Sequence, residues 1–319
     1  MTSKYRSVDL SKLKTTSIKD RGSKVDVRDF ARCLEGGAGV EDLLASLPNI
    51  LAGTTLRTVI DRVAQARKKG RAVVVAMGAH VIKCGLSPIL CDLMRRGIIT
   101  ALAMNGAGAI HDAEIAMFGE TSEDVAEGMR TGTFGMARET AEFLNEGARA
   151  ACERDLGFGE TLGRALVERA ARHLDVSLLG AAYQCGVPAT VHVSVGCDIV
   201  HMHPSADGGA IGEASMRDFR ILTEAMSELG RGGVLLNVGS AVVLPEVLLK
   251  ALTILINLGR ELTGMTGVNL DFMQHYRSNQ QVVARIGEIG GEGFALTGHH
   301  EIMIPLLAAG IIERTEEAR

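Results

Sequence analysis

The chain has 319 residues, of which 46% are hydrophobic and only 3% aromatic, and its formal charge is −4 at pH 7. Basic and acidic residues are interspersed, which argues against a nucleic-acid-binding surface. The N-terminus lacks the apolar core of a signal peptide, and no apolar run is long enough to span a membrane. We therefore expect a cytoplasmic protein with no nucleic-acid or membrane partner, whose six cysteines are free thiols.

The polar, weakly periodic residues 1–39 predict an N-terminal arm, and residues 40–319 predict a single α/β domain. Helices are predicted at 40–51 and 54–69, after which strands and helices alternate. The predicted strands are 72–77, 98–104, 189–195, 233–238, 266–272 and 293–298. The later helices are 87–96, 213–229, 244–258 and 300–311, with a helical segment at about 121–185. Because the strands are continuous apolar runs, the pattern predicts a Rossmann-like parallel sheet with helices on both faces.

Small residues and polar side chains follow the predicted strands. In an open parallel sheet, ligands bind beyond the carboxyl ends of the strands, and small-residue turns at helix starts expose amide donors that suit phosphate. The segments after five strands therefore predict a ligand cleft. Its candidate residues are Gly78, Ala79, His80 and Lys83 after the first strand, Gly106, Ala107, Gly108, His111 and Asp112 after the second, Asp207 and Glu213 after the third, Gly239 and Ser240 after the fourth, and His299 and His300 after the last.

Taken singly, these motifs leave several functions open. GAGAIH at 106–111 resembles the dinucleotide-binding fingerprint, with a histidine in place of the third glycine. His201 and His203 have a spacing that two metal ligands on a strand could use, and Asp207 is close by. This spacing supports an alternative function as a metal-dependent hydrolase that also uses the histidines at 299–300. Alternate histidines on a strand are, however, more often hydrogen-bonding residues.

Taken in order, the turns resemble those of the deoxyhypusine synthase family. VAMGAHVIKCG is followed by SPILCDLMRRGIITALAM, and the second strand then leads into NGAGAIHDAEI. Farther along stand HPSADGGAIGE, then GSAVV after a strand, and GHHEIMIPLL near the end. The resemblance covers roughly residues 50–310 and lies in order and spacing. It implies a parallel-sheet protein that binds NAD and forms a homotetramer.

The resemblance also implies roles for the strand-end residues. His111, Asp112 and Glu213 would face an amine substrate. Independently of the resemblance, a neutral His111 is the candidate general base, because an imidazole exchanges protons near neutral pH. Lys83 would bind pyrophosphate or serve as a displaced imine-forming lysine. NAD would lie against Gly78, Ala79, His80, Gly106, Ala107, Gly108, Asp207, Gly239, Ser240, His299 and His300.

The chain departs from the family at one lysine. The family's imine-forming lysine precedes the proline of the PLL segment by nineteen residues, and Ile286 stands there, beside Arg285. Arginine cannot lose a proton to attack an imine carbon. The sequence therefore predicts an NAD-dependent transferase or oxidoreductase acting on a small amine, such as a polyamine, or a related metabolite, and not a true deoxyhypusine synthase. A non-catalytic NAD-binding or metabolite-binding protein is the third hypothesis.

Overall fold

The computed structural model describes residues 4–316 and contains a six-stranded sheet. The strands are β1 (Val73–Met77), β2 (Ala101–Asn105), β3 (Ala189–His192), β4 (Val234–Val238), β5 (Thr266–Asp271) and β6 (Glu292–Thr297). All neighbours pair in parallel, in the order β3-β2-β1-β4-β5-β6. The predicted Rossmann-like α/β sheet is therefore confirmed. β3 is shorter than predicted because the Val193 amide donates to the Ser215 hydroxyl at 3.0 Å rather than to a neighbouring strand.

Fourteen α-helices surround the sheet in the described part of the chain. They are α1 (Val40–Ser46), α2 (Leu51–Lys68), α3 (His80–Lys83), α4 (Ser87–Arg95), α5 (Gly106–Phe118), α6 (Val125–Thr131), α7 (Arg138–Arg154), α8 (Phe158–Glu168), α9 (Leu178–Cys185), α10 (Gly208–Ala225), α11 (Val243–Asn257), α12 (Tyr276–Ser278), α13 (Arg285–Glu288) and α14 (His300–Glu316). Short 3-10 turns lie at Ile18–Asp20, Val27–Asp29, Leu174–Val176, Ile199–Met202 and Met226–Leu229, and a π-helical turn at Asn279–Ala284. No helix within residues 4–316 is long and apolar enough to cross a membrane.

Local hydrogen bonding places some helices differently from the prediction. α10 begins at Gly208, five residues before the predicted start, because the Asp207 carboxylate accepts two amides of the first turn at 2.9 and 3.1 Å. Residues 276–288 are helical, whereas the sequence pattern predicts no helix there. This stretch contains a π-helical turn, which breaks the regular apolar period that a prediction relies on.

The two faces of the sheet bury separate apolar cores. On one face, Val75, Met77 and Leu102 belong to a core shared with α2, α4, α5 and α14. On the other, Val74 and Ala76 belong to a core shared with α10 and α11. Successive strand residues point to opposite faces, so a strand buried on both sides is apolar throughout. This explains why the strands could be predicted from continuous apolar runs.

Residues 4–39 lie outside both sheet cores, whereas α7, α8 and α9 contribute Leu144, Leu162 and Leu179 to the first core. Residues 4–39 are exposed apart from the half-buried Asp29, and their end is joined to the body by the Arg32 amide, which donates to the Ser46 carbonyl at 2.9 Å. Within the helical segment predicted at 121–185, α8 packs on α9 and β3, while α7 packs on α10. The division into an arm and one α/β domain stays a prediction.

Candidate functional site

The strand order reverses between β1 and β4, at the centre of the sheet. α4 follows β1 and packs in one core, whereas α11 follows β4 and packs in the other. The connections that leave these two neighbouring strands therefore run over opposite faces of the sheet. Ligands of open parallel sheets bind at such a switch point. Gly78 follows β1 and Gly239 follows β4, and a Cβ on Gly78 would overlap the Gly239 carbonyl oxygen. Gly239 also has a φ of +65°, which favours glycine. These glycines let the two backbones meet at the base of the crevice.

A buried histidine lies against this pair of glycines. His300 is 1% exposed, and its Nε2 lies 3.4 Å from the Leu270 carbonyl oxygen and 3.8 Å from Asp271 Oδ1. Burial lowers the pKa of His300, which favours the neutral ring. Since Nε2 then donates its hydrogen to the carbonyl, Nδ1 is left as an acceptor, and no group within residues 4–316 bonds it.

Aromatic rings extend from His300 along the carboxyl edge of the sheet. Phe272 stacks on His299 with ring centroids 6.0 Å apart and meets His300 edge-on at 6.1 Å. His80 lies 5.8 Å from His300 and 6.1 Å from Phe272, so these three rings pack against one another. His80, Phe272 and His299 are exposed, so this ring cluster could contact a planar ligand by stacking. Cys84 lies beside His80. Burial and the nearby Glu301 raise the pKa of its thiol, which disfavours the reactive thiolate.

A cavity of about 660 Å³ opens next to the crevice, between α5 and residues 118–139. Lys83 and His111 both line it, so the structure brings these two predicted residues together. Its apolar wall includes Phe118, Val125 and Phe134. The five carboxylates that line it belong to Glu114, Glu120, Glu123, Glu139 and Asp198. With one lysine against five acids, the cavity favours a positively charged ligand.

The four-residue helix α3 joins the ring cluster to the cavity. His80 at its start belongs to the ring cluster, and Lys83 at its end lines the cavity. Lys83 follows His80 by three residues, which gives a rise of about 4.5 Å along the helix axis. A ligand bound at the ring cluster and one bound in the cavity would therefore lie close to each other.

Within the cavity, His111 belongs to a hydrogen-bonded group on α5. Its Nδ1 lies 2.6 Å from Thr121 Oγ1, and the Thr121 hydroxyl donates to Glu114 Oε2. The other carboxylate oxygen of Glu114 accepts from the Thr140 hydroxyl at 2.9 Å. Glu114 follows His111 by three residues, which places both side chains on one face of the helix.

The start of α5 differs from the predicted phosphate-binding turn. A Cβ on Gly106 would overlap the carboxylate of Asp198, whose side chain is only 9% exposed. The Gly108 amide donates to Asn105 Oδ1 at 3.0 Å. Burial raises the pKa of Asp198, against the opposing effects of His201 and the Ala107 amide. The place expected for phosphate at Gly106, Ala107 and Gly108 thus holds a protein carboxylate.

Asp112 does not face the cavity, which corrects its predicted catalytic role. It is 1% exposed and accepts the Ser177 hydroxyl at 2.7 Å and the amides of Leu178 and Leu179 at 2.6 and 3.0 Å. Consecutive helical residues point about 100° apart, so the neighbour of a cavity residue can face the core. Asp112 stabilises the start of α9.

Three other candidates have structural partners away from the cavity. Asp207 caps α10, as described above, and Glu213 forms an exposed ion pair with Arg217 at 3.0 Å. The Ser240 hydroxyl accepts the Leu244 amide at 3.2 Å at the start of α11. The structure therefore does not bring Asp207 or Glu213 to His111, and the side chain of Ser240 is engaged in its own helix.

The histidines proposed as metal ligands have separate partners. His201 Nδ1 accepts the Gly196 amide at 3.2 Å, whereas His203 Nδ1 lies 2.7 Å from the Ser205 hydroxyl. His201 lies in a 3-10 turn rather than on a strand, so the alternation of strand side chains does not apply. Across residues 4–316, no group of three or more His, Cys, Asp or Glu side chains is placed to hold a metal. The metal-dependent hydrolase alternative has no support.

The site residues predicted from the sequence do not include Glu114, Thr121, Asp198 or Phe272. The three-residue spacing of His111 and Glu114 on a predicted helix could have identified Glu114. Thr121 and Asp198 come from irregular segments, where no periodic pattern indicates the direction of a side chain.

No protein-family profile matches the chain. A curated ornithine cyclodeaminase from Methanothermobacter thermautotrophicus is 27% identical over 66 residues, which are 21% of this chain and 16% of that protein. This match covers too little of either chain to show a family.

Solved structures share the fold. AgrE in its ternary complex with ornithine and NAD+ superposes with a TM-score of 0.54 and 16% identity, over 81% of this chain and 33% of AgrE. A provisionally assigned LOR/SDH protein from Methanococcus maripaludis has a TM-score of 0.51 and 13% identity, over 83% of this chain and 70% of that chain. A provisionally assigned deoxyhypusine synthase from Entamoeba histolytica has a TM-score of 0.49 and 10% identity, over 87% of this chain and 94% of that chain. The chain thus spans about a third of AgrE, and the AgrE and LOR/SDH structures show that the fold is Rossmann-like.

Proposed function

We propose that the protein is an NAD-dependent enzyme acting on a small, positively charged amino compound. The observation that carries the proposal is the acidic cavity containing His111, which opens beside the glycine-lined crevice at the switch point of the sheet. The crevice is where this type of sheet binds a cofactor, and the charge of the cavity matches an ammonium group. The AgrE complex with ornithine and NAD+ supports both ligand classes at the level of fold.

The residues at the crevice offer contacts that suit a dinucleotide. Gly78 and Gly239 let the ends of β1 and β4 and the ring of His300 pack together, and the buried His300 has an acceptor nitrogen without a partner in the described residues. The exposed rings of His80 and His299 could stack on a nicotinamide or adenine ring. When bound, NAD supplies the acceptor or donor of a hydride.

The cavity residues would bind and deprotonate the amino compound. Its carboxylates would hold an ammonium group, and the imidazole of His111 would take a proton from the reacting nitrogen. Lys83, at the junction with the crevice, would contact an anionic group of cofactor or substrate. Transfer of an aminobutyl group through a lysine is not proposed, because the buried Ile286 occupies the expected position.

Calorimetric titration with NAD+ tests the cofactor, and NADH formation with a panel of amino compounds that includes ornithine and arginine tests the reaction. His299→Ala should weaken NAD+ binding, whereas His203→Ala, which changes a histidine outside the crevice, should not. Absence of NAD+ binding would overturn the proposal. NAD+ binding without turnover of any amino compound would instead favour the non-catalytic alternative. A homo-oligomer, as the family resemblance implies, remains a separate prediction for light scattering.

A further inference from the structure

We infer that Thr121 and Glu114 are positioning residues that hold the proton of neutral His111 on Nδ1 and leave Nε2 as the proton acceptor in the cavity. The use of His111 as a base rests on the proposed function. The tautomer itself does not, and it can be measured without any substrate.

The direction of the hydrogen bonds starts from Glu114. Burial works to raise the pKa of its carboxyl, but the hydrogen bonds from Thr121 and Thr140 and the nearby His111 together outweigh burial and lower it. Glu114 is therefore ionised at neutral pH, and an ionised carboxylate can only accept hydrogen bonds. Each of the two threonine hydroxyls must accordingly donate its single hydrogen to Glu114.

This leaves one arrangement at His111. The Thr121 hydroxyl has given its hydrogen to Glu114, so its oxygen can only accept from the imidazole. His111 Nδ1, 2.6 Å from that oxygen, must carry the hydrogen. In a neutral imidazole the other nitrogen then has a lone pair, so Nε2 is the acceptor.

The environment of His111 suits this acceptor. No group within residues 4–316 bonds Nε2, and the side chain is 18% exposed where the ring lines the cavity. When Nε2 takes a proton from a substrate ammonium, the nitrogen–hydrogen bond breaks and its electron pair stays on the substrate nitrogen. The ring then carries a positive charge, and Glu114 Oε2, 3.8 Å from Nδ1, stabilises it.

The fold builds this arrangement from three segments. His111 and Glu114 lie one turn apart on α5, and Thr140 lies near the start of α7. Gly119 ends α5 with a φ of +82°, so the chain turns back and places Thr121 beside His111. The position of Thr121 therefore depends on this turn and not on a motif.

Nitrogen-15 NMR of the histidine rings at mildly alkaline pH tests the inference. In the wild type, the His111 signals should show Nδ1 protonated and Nε2 bare. Thr121→Val removes the hydroxyl at nearly constant shape, and the population should shift toward the Nε2-protonated form that free neutral histidine prefers. Thr121→Ser keeps a hydroxyl and should restore the wild-type tautomer. An Nε2-protonated wild type, or an unchanged tautomer in Thr121→Val, would overturn the inference.

Activity supplies a second and separate readout. If the proposed reaction is found, Thr121→Val should lower kcat by about tenfold with little change in KM, since a general base contributes about 10² or more. Thr121→Ser should recover most of the rate, and Thr131→Val, on the exposed helix α6, should leave it unchanged. If no amino compound is turned over, the proposed function fails while the NMR result still decides the tautomer.

Discussion

The ring of His300 lies against Gly239, with Cε1 only 2.7 Å from the place that a Cβ would take. The first residue of α14 and the turn after β4 therefore depend on each other across the crevice. Gly239→Ala should displace His300, cost about 1–2 kcal/mol through its left-handed backbone, and lower NAD+ affinity by about tenfold or more.

Gly259→Ala is the matched control for this substitution. Gly259 has a similar φ of +76°, and nothing lies within 4 Å of an added Cβ. Urea unfolding should show a loss of stability in both variants, larger in Gly239→Ala because His300 must also move, and calorimetry should show weaker NAD+ binding only in Gly239→Ala. Equal NAD+ affinity of the Gly239→Ala and Gly259→Ala variants would show that His300 and Gly239 do not contribute to cofactor binding.

A second prediction separates two neighbours in sequence. Asp112→Ala should lower the free energy of unfolding by about 2 kcal/mol or more, because three buried donors lose their acceptor. His111→Ala should abolish turnover but leave stability close to that of the wild type. Urea unfolding and steady-state kinetics on both variants check this. A stable Asp112→Ala protein without activity would return Asp112 to the catalytic group.

A third prediction concerns the pH dependence of stability. Burial lowers the pKa of His192 to about 4. Protonation thus favours the unfolded chain, whose histidine titrates near pH 6.5. The contribution of His192 is fully present above pH 6.5 and is lost as the pH falls toward about 4, by up to about 3 kcal/mol.

His192→Gln should remove this component. Burial raises the pKa of Asp112 to about 6 and of Asp218 to about 7, so those two groups act with the opposite sign over part of the same range. The quantity to measure is therefore the difference between wild type and variant in urea-unfolding free energy at a series of pH values. A difference that does not change with pH would contradict a neutral, buried His192.

A fourth prediction follows from the charge of the cavity. Glu120→Gln should weaken binding of a cationic amino compound by a few fold, and added salt should reduce the difference, because exposed charges are screened. The control is Glu168→Gln, because the Glu168 carboxylate pairs with Arg164 outside the cavity. Steady-state KM values of both variants at low and high salt check the prediction. Tighter binding to Glu120→Gln would argue for an anionic substrate.

Much of the fold could be predicted from sequence because its signals are local. Continuous apolar runs mark strands buried on both faces, and all six predicted strands are present, although β2 begins three residues later and β3 ends three residues earlier than predicted. Glycines after the strands likewise indicate places where backbones approach, as Gly78 and Gly239 do. The fold class, and the choice of the carboxyl edge as the place of the candidate site, thus follow from the sequence itself.

The composition of the site was decided by tertiary structure. Asp112 turns into the core to bind the start of α9, the carboxylate of Asp198 covers Gly106, and a turn brings Thr121 to His111. Each of these contacts joins residues from different elements, and its free energy depends on partners that sequence spacing does not reveal. Strand and helix periods determine which face a residue occupies, but only the packed structure determines whether a polar side chain on that face binds a ligand or another part of the protein.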